Sequence, residues 1–412
     1  MNPSRPPPRG PTPRPRARYP PGAKDVKQNS NTSPRRKVPR TGSRVFPCDP
    51  PPSGHPLELR YNIKDNDLIM SKYRVRSSIG RGSFGTIVLT EDNITETPVA
   101  IKLLHKDTDL NKDVRREEKV YRALLAGCDP RIQLFAEVMS SGTHCGFHCI
   151  VFELCGATLY DMVNGHMGLL PFPARHILEV AYQLVNAVGY LHSLGIIHTD
   201  LKLDNIAVRD QATATISWLN PLTGFEDKKI LVTTQICVLD LGSAVTSSSA
   251  SHSGRVGIRP YRSPEVTLGL PWRYGVDVFA VGCVIAELYL GNQLFSSDIS
   301  SDREHLAALD RVLGPFPRAF AHTIDERFPG TFSLDDHVKV HYPSLDTVLT
   351  RDGHGAPMRR LERMWPLSAE VHDVELMNLL QRLMALNPAE RVSLDVATKH
   401  TYFDAIARCD WQ

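Results

Sequence analysis

The run Gly80-Arg81-Gly82-Ser83-Phe84-Gly85 constrains the fold most, because of what flanks it. Glycines at this spacing occur in a dinucleotide-binding turn, in a phosphate loop and in glycine-rich hairpins that bind nothing. A dinucleotide-binding turn opens a helix after its last glycine. Here the β-branched run Thr86-Ile87-Val88-Leu89-Thr90 follows instead, and Tyr73–Ile79 before it alternates with period two. These flanks predict a hairpin whose backbone N–H groups lie over phosphates, with glycine needed because a Cβ would block that approach.

Further strand-like segments are Pro98–Leu104 and His148–Leu154, separated by a helical pattern from about Asp113 to Ala126. Beyond Gly156 the pattern turns helical, at Ala174–His192, Tyr274–Leu290, Asp302–Leu313 and Asp373–Leu386. A small β-rich lobe followed by a larger helical lobe is therefore expected, with no internal repeat. The most apolar stretch, Val276–Leu290, carries Asp277 and Glu287 and is too short to span a bilayer, so it reads as a buried helix and no membrane partner is expected.

Residues 1–56 differ in kind. They hold 16 of the 31 prolines and 12 Lys/Arg against 2 Asp/Glu, a surplus of +10 within a net charge of +3, which leaves 3 − 10 = −7 for residues 57–412. Proline and like-charge repulsion preclude a core, so a disordered or polyproline-like basic tail is expected there. Its stretch Pro34–Arg40 reads as a nuclear-import patch, a docking arm for an anionic surface, or simply a solvated tail. The acidic body suits a basic partner and disfavours bare nucleic acid. Met1–Pro6 has no apolar secretory region, and none of the eight cysteines forms a CxxC pair, so reduced intracellular thiols are expected. His144, Cys145, His148 and Cys149 match no structural zinc spacing; with Gly146 among them they read as a strand-turn-strand. The sequons at Asn31 and Asn93 read as accidental.

Four further motifs carry chemistry. In Val99-Ala100-Ile101-Lys102, a lysine ending an apolar strand calls for a partner. Glu117 and Glu118 compete for that place. Glu117 shares a helix face with Val120, Tyr121 and Leu124, and Glu118 with Tyr121, Arg122 and Leu125, which places Glu117 inward and leaves Glu118 to solvent. Ile197-His198-Thr199-Asp200-Leu201-Lys202-Leu203-Asp204-Asn205 supplies a proton acceptor, a phosphate cation and a metal ligand. Val238-Leu239-Asp240-Leu241-Gly242 sets an acid after an apolar strand, placed for a divalent cation. Ser263-Pro264-Glu265 follows, with Asp277 and Arg391 further on.

In this order, across about 190 residues, the five motifs resemble the protein-kinase signature set. The resemblance covers roughly residues 68–406. The HTD sequence, the stretch Cys149–Leu154, the long Asn205-to-Asp240 insert and the run Glu304-His305-Leu306-Ala307-Ala308-Leu309-Asp310-Arg311-Val312-Leu313-Gly314 resemble the LAMMER (CDC-like) dual-specificity kinases of the CMGC group. The family core reads EHLAMMERILG; Ala308, Leu309 and Asp310 keep its apolar-apolar-acidic pattern, as in a divergent member.

The resemblance implies an α+β bilobal kinase fold over 57–412, with an N-lobe at about 68–153 and a C-lobe at about 158–406. It implies ATP and Mg²⁺ as cofactors. Gly80, Gly82 and Gly85 would cover the phosphates, and Ile79, Val88 and Ala100 would wall the adenine, which would bond the backbone near Glu153 and Leu154. Phe152 occupies the gatekeeper place. Lys102, held by Glu117, would contact the α/β-phosphates; Asp240 and Asn205 would hold the metal. Asp200 would accept or orient the substrate hydroxyl proton, and Lys202 would steady the γ-phosphate. Glu265–Arg391 and Asp277 would be structural. The insert after Asn205 would be a hairpin.

The resemblance further implies a monomeric nuclear or cytoplasmic kinase acting on Ser/Thr, with tyrosine autophosphorylation, and on basic Arg/Ser-rich splicing proteins. A pseudokinase that serves as an ATP-binding interaction module is the second reading. Thr199 replaces the arginine that pairs with a phosphorylated activation loop, so activity without an upstream kinase is expected. The serine-rich run Thr246–Ser253 reads equally as an autophosphorylation segment or a flexible loop. Leu241 fills the apolar slot where most kinases have Phe. Ile258, seven residues before Glu265, stands where a threonine ordinarily bonds the catalytic aspartate and lysine, which an isoleucine cannot do.

Overall fold

The structure, a computed structural model, describes residues 61–82, 85–105, 110–165, 167–220, 224–246, 251–342 and 360–407. The basic tail 1–56, Ser83 and Phe84, Ser247–Ala250, the Asn31 sequon, Cys48 and Cys409 lie outside the described residues.

Strands β1 (Leu68–Ile69), β2 (Tyr73–Arg81), β3 (Gly85–Asp92), β4 (Pro98–Leu104), β5 (Val138–His144) and β6 (Phe147–Glu153) form one antiparallel sheet in the order β1-β2-β3-β4-β6-β5. Alternation gives it two faces. Val88, Val99, Ile101, Leu103 and Val151 pack with Ile69, Tyr73 and Val75 into a compact core on one of them. The register pairs Ile87 with Lys102, Leu89 with Ala100 and Ala100 with Phe152, which sets these residues on the other face. That face meets helix α1 (Leu110–Leu125), where Tyr121 lies 5.5 Å from the Phe152 ring.

The β5–β6 hairpin turns at Cys145 (φ 49°) and Gly146 (φ 75°), as a two-residue primed turn requires. His144 Nδ1 accepts from Met70 N–H at 3.3 Å and its Nε2 contacts Tyr61 Oη at 3.0 Å. Both ring nitrogens are thus engaged, which supports the strand-turn-strand reading over zinc.

Below the sheet stand α2 (Leu159–Val163) and α3 (Ala174–Ser193), then short strands β7 (Ile196–Ile197) and β8 (Ile206–Val208). The insert is the expected hairpin, β9 (Thr213–Asn220) paired with β10 (Gly224–Leu231). Strand β11 (Ile236–Val238) pairs with β8, and β12 (Val245–Thr246) with β7. After α4 (Pro264–Thr267) comes α5 (Gly275–Leu290), buried without interruption from Val276 to Leu288. Its two acids are each satisfied. Asp277 accepts from the backbone N–H of His198 (2.7 Å) and Thr199 (2.8 Å); Glu287 accepts from Tyr261 Oη (2.6 Å) and Leu294 N–H (2.9 Å). Burial nevertheless pushes the Glu287 carboxyl up to about 7. No helix among the described residues is long and apolar enough to cross a membrane.

The run resembling the LAMMER motif forms α6 (Asp302–Leu313), capped by Ser301. Ala308 and Leu309 are buried, and Glu304 receives both Arg360 bonds, at 2.9 and 2.6 Å. His305 is buried; its Nε2–H donates to the carbonyl of Arg262 at 2.9 Å, and its buried Nδ1 has no partner that a second ring proton would need among the described residues. Burial, with Arg262 and Arg259 adding repulsion, holds it down to about 4. A histidine with a depressed folded value stabilises most above its unfolded value of about 6.5 and loses that contribution as pH falls towards 4. Denaturant titrations should show a loss of roughly 3 kcal/mol from this residue across that window. His305→Gln, which keeps a donor, should reduce the pH slope by about one proton. An unchanged slope would contradict a buried neutral imidazole.

Candidate active site

Lys102 lies two residues before the end of β4, on the face turned towards α1. Its Nζ lies 2.9 and 3.0 Å from the two Glu117 oxygens and 2.6 Å from Asp240 Oδ1. Lys102 and Glu117 are buried, and Asp240 is partly open to the cleft. Burial alone would favour a neutral amine, but the two carboxylates outweigh it and hold the lysine above its ordinary value. Burial also acts to raise Asp240, and Lys102 overrides it, keeping this carboxyl below the ordinary range. Glu117 is raised by its burial. The helical face assignment places Glu117 as it stands; Glu118, expected in solvent, is partly buried and pairs with Arg122 at 3.3 Å and His148 at 3.1 Å.

Asp240 has a left-handed backbone (φ 56°) and its Oδ2 takes no hydrogen bond among the described residues. Gly242 two residues on is a requirement the motif alone did not reveal. A Cβ there would lie 3.2 Å from both Asp240 Oδ1 and Lys102 Nζ and 3.3 Å from Glu117 Oε2, in the middle of the charge network. Leu241 is wholly buried in the main core, filling the apolar slot.

The second group is the loop Ile197–Asn205. Asp200 Oδ2 accepts from Lys202 Nζ (2.6 Å) and Asn205 Nδ2 (3.3 Å), and the Asn205 amide also donates to the Asp200 carbonyl (2.8 Å). Asp200 Oδ1 takes no hydrogen bond among the described residues, and the Asn205 amide oxygen is turned from these donors. His198 links this loop to Asp240. Its Nε2–H donates to Leu239 O (3.1 Å) and its Nδ1 accepts from Asp200 N–H (3.3 Å), while Leu239 N–H donates to Asn205 O (2.8 Å). The histidine was part of the sequence motif, but nothing in the sequence shows that it couples the two segments.

Thr199 also adopts a left-handed backbone (φ 70°), and its hydroxyl donates to Ser243 O at 2.9 Å. Further along, His252 and Trp272 exchange two backbone bonds of 2.9 Å and stack with ring centroids 4.9 Å apart. Ile258 is 43% exposed and contributes no polar group. Arg391 clasps Glu265 at 2.7 and 3.1 Å, both side chains buried.

The glycine-rich turn shows two different reasons for glycine. At Gly85 a Cβ would sit 2.5 Å from Leu103 O, so the β3–β4 contact itself excludes any side chain. Gly80 and Gly82 have no contact closer than 3.7 Å and leave room for a ligand. Gly82 N–H closes the turn on Gly85 O at 2.9 Å. Ile79 sits at a break in the β2–β3 register and is half exposed.

Val88 must be corrected. It packs in the small core with Ile101 and Val151, on the sheet face opposite Lys102, and cannot wall a ligand beside that lysine. Ile87 takes its place, since it pairs with Lys102 across the strands. Ala100 and Phe152 do share the Lys102 face. The Glu153 side chain turns away to Arg209 and to Glu137 N–H (2.9 Å), and its own N–H donates to Glu137 O (3.0 Å), which leaves only its carbonyl for a ligand. Among the described residues, the backbone groups of Leu154 and Cys155 have no backbone partner. Cys155 therefore joins Leu154 as an available hinge residue.

The protein kinase domain family matches residues 73–403. The human dual specificity protein kinase CLK1 is 33% identical over 353 residues, spanning 84% of this chain and 68% of that protein. The dual specificity protein kinase lkh1 of Schizosaccharomyces pombe is 31% identical over 348 residues, spanning 83% of this chain and 48% of that protein. A crystal structure of a kinase domain has the same fold, with a TM-score of 0.72 at 22% identity, covering 84% of this chain and 99% of that one. With a lysine, a helical glutamate and the two aspartate segments assembled in one cleft, the chain belongs to the protein kinase family, as a divergent relative of the CLK-type dual-specificity kinases.

Proposed function

We propose that the protein transfers the γ-phosphoryl group of ATP to serine and threonine hydroxyls, and to tyrosine, of basic Arg/Ser-rich proteins such as splicing factors. The single observation that carries this reading is Lys102 held between Glu117 and Asp240 within 3.0 Å. Phosphoryl transfer demands positioning and charge neutralisation more than covalent chemistry. Lys102 meets the α/β-phosphates. Gly80 and Gly82 give the triphosphate room at the turn. Ile79, Ile87 and Ala100 wall the adenine, and the free backbone of Leu154 and Cys155 bonds its edge.

Asp240 and Asn205 are oxygen donors suited to a hard cation, and they would hold Mg²⁺, which neutralises phosphate charge when bound. Asp200 is held through Oδ2 by Lys202 and Asn205, so Oδ1 receives the proton of the attacking hydroxyl. Lys202 steadies the γ-phosphate as its bond to the β-phosphate oxygen breaks. The charge of −7 over residues 57–412 supports basic substrates. The basic stretch Pro34–Arg40 is consistent with a nuclear as well as a cytoplasmic place of action.

Asp240→Asn should reduce radiolabel transfer to an Arg/Ser peptide by about a hundredfold or more, with the thermal melt retained. Wild-type turnover by that variant, free of other kinases, would contradict the proposed site. A wild type that takes up Mg·ATP yet transfers nothing would favour the pseudokinase reading.

Thr199 anchors the segment after Asp240 through Ser243, and the His252–Trp272 pair ties down its far end by two backbone bonds and ring stacking. Protein made in bacteria should therefore phosphorylate the peptide without prior treatment. Inertness until a second kinase modifies it would contradict this.

A further inference from the structure

Beside the hinge, two thiols meet from separate segments. Cys155 follows Leu154, and Cys237 sits in the middle of β11, three residues before Asp240. Their sulfurs lie within 4.8 Å of each other and of a Glu153 carboxylate oxygen. The Cys237 thiol donates to Glu153 Oε1 at 3.9 Å, and neither cysteine is in a disulfide. Cys155 is partly accessible, whereas Cys237 is buried.

Two sulfurs and one carboxylate at this spacing suggest a soft cation first. Arg209 argues against it. Its guanidinium binds both Glu153 oxygens and is itself fixed by the carbonyls of Gln133 and Phe135, the latter at 3.1 Å. A metal ion would have to displace that cation and then sit next to it. The thiols have no such competitor, and they come from elements that the backbone already ties together. Cys237 is paired with Ala207 of β8, and Gly156 N–H donates to Val208 O of the same strand at 2.8 Å.

We propose that Cys155 and Cys237 are a peroxide-sensitive dithiol that closes to a disulfide joining the hinge to the strand that leads into Asp240. The two sulfurs have different surroundings. The nearby Cys237 thiol holds Cys155 below the ordinary thiol range against the effect of burial, and Arg209 assists. The nearby Cys155 and burial push Cys237 far up. Because Cys155 is reachable from solvent and Cys237 is buried, Cys155 is the attacking sulfur and Cys237 the resolving one. In the first step the Cys155 thiolate attacks a peroxide oxygen, the O–O bond breaks, and a sulfenic acid and an alkoxide or hydroxide form. In the second, the Cys237 sulfur attacks the sulfenyl sulfur. The S–O bond breaks, the Cys237 proton leaves with the hydroxyl as water, and two thiols have been oxidised as one peroxide is reduced. An S–S bond of about 2.05 Å requires the sulfurs to move closer, which draws Cys155 out of its hinge position.

The effect on nucleotide rests on the kinase reading; the cross-link does not. The full-length reduced protein, treated with equimolar hydrogen peroxide, alkylated and digested, should yield a peptide pair linking Cys155 to Cys237, two hydrogens lighter and cleaved by dithiothreitol. Cys237→Ala should give no link, and dimedone should label Cys155 as the sulfenic acid. Should that variant misfold, Cys155→Ser should likewise abolish the link. Oxidation should weaken uptake of a fluorescent ATP analogue about tenfold, reversibly. Both cysteines staying reduced while exposed Cys128 and Cys145 are oxidised would overturn the dithiol. A link that leaves nucleotide uptake unchanged would overturn its action on the hinge. A reduced protein that takes up no nucleotide would count against the kinase reading alone, because the cross-link is read separately.

Discussion

A buried ammonium needs compensation, and the catalytic cleft is organised around meeting that need at Lys102. Removing an ion from water costs several kcal/mol even after the protein relaxes. The lysine lies within an apolar strand, so only groups brought from elsewhere can balance it. Glu117 comes from α1 and Asp240 from the turn after β11, both within 3.0 Å. Sheet, helix and lower lobe are joined at one atom. Gly242 keeps this junction uncrowded, because a Cβ there would press within 3.2 to 3.3 Å of all three partners.

A second buried charge does the corresponding work below the cleft. Asp277, on the wholly buried α5, receives the backbone N–H groups of His198 and Thr199 and contacts His192 Nε2 at 3.0 Å. This fixes the path of the loop that presents Asp200 and Asn205. His198 then carries the constraint across to Leu239, next to Asp240. The loop with the proton acceptor and the turn with the metal-binding carboxylate are thereby held as one unit, by hydrogen bonds whose partners are spaced far apart in the chain. Thr199, in the left-handed region, adds a bond to the following segment.

Much of this was legible in the sequence, and for definable reasons. Helical periodicity separated Glu117 from Glu118 because only one of them shares a face with Val120, Tyr121 and Leu124. The uninterrupted apolar run around Asp277 and Glu287 announced a buried helix, and the alternation before and after the glycines announced a hairpin. Val88 failed for an equally physical reason. Which of two adjacent residues faces the cleft depends on strand register, and a one-residue shift exchanges the faces. The β2–β3 pairing contains such a shift between Ser78 and Gly80, and only the β3–β4 register assigns Ile87 to Lys102. Strand β1, the strand Val138–His144 and the withdrawal of the Glu153 side chain to Arg209 depend on distant partners that no local pattern encodes.

Calorimetric titration of ATP, with and without Mg²⁺, into the wild type and Lys102→Met is the most direct test of the buried charge network as a nucleotide grip. Magnesium-dependent uptake by the wild type and a loss of at least tenfold in the variant are expected. Equal affinity in both proteins, or no heat from the wild type, would contradict it.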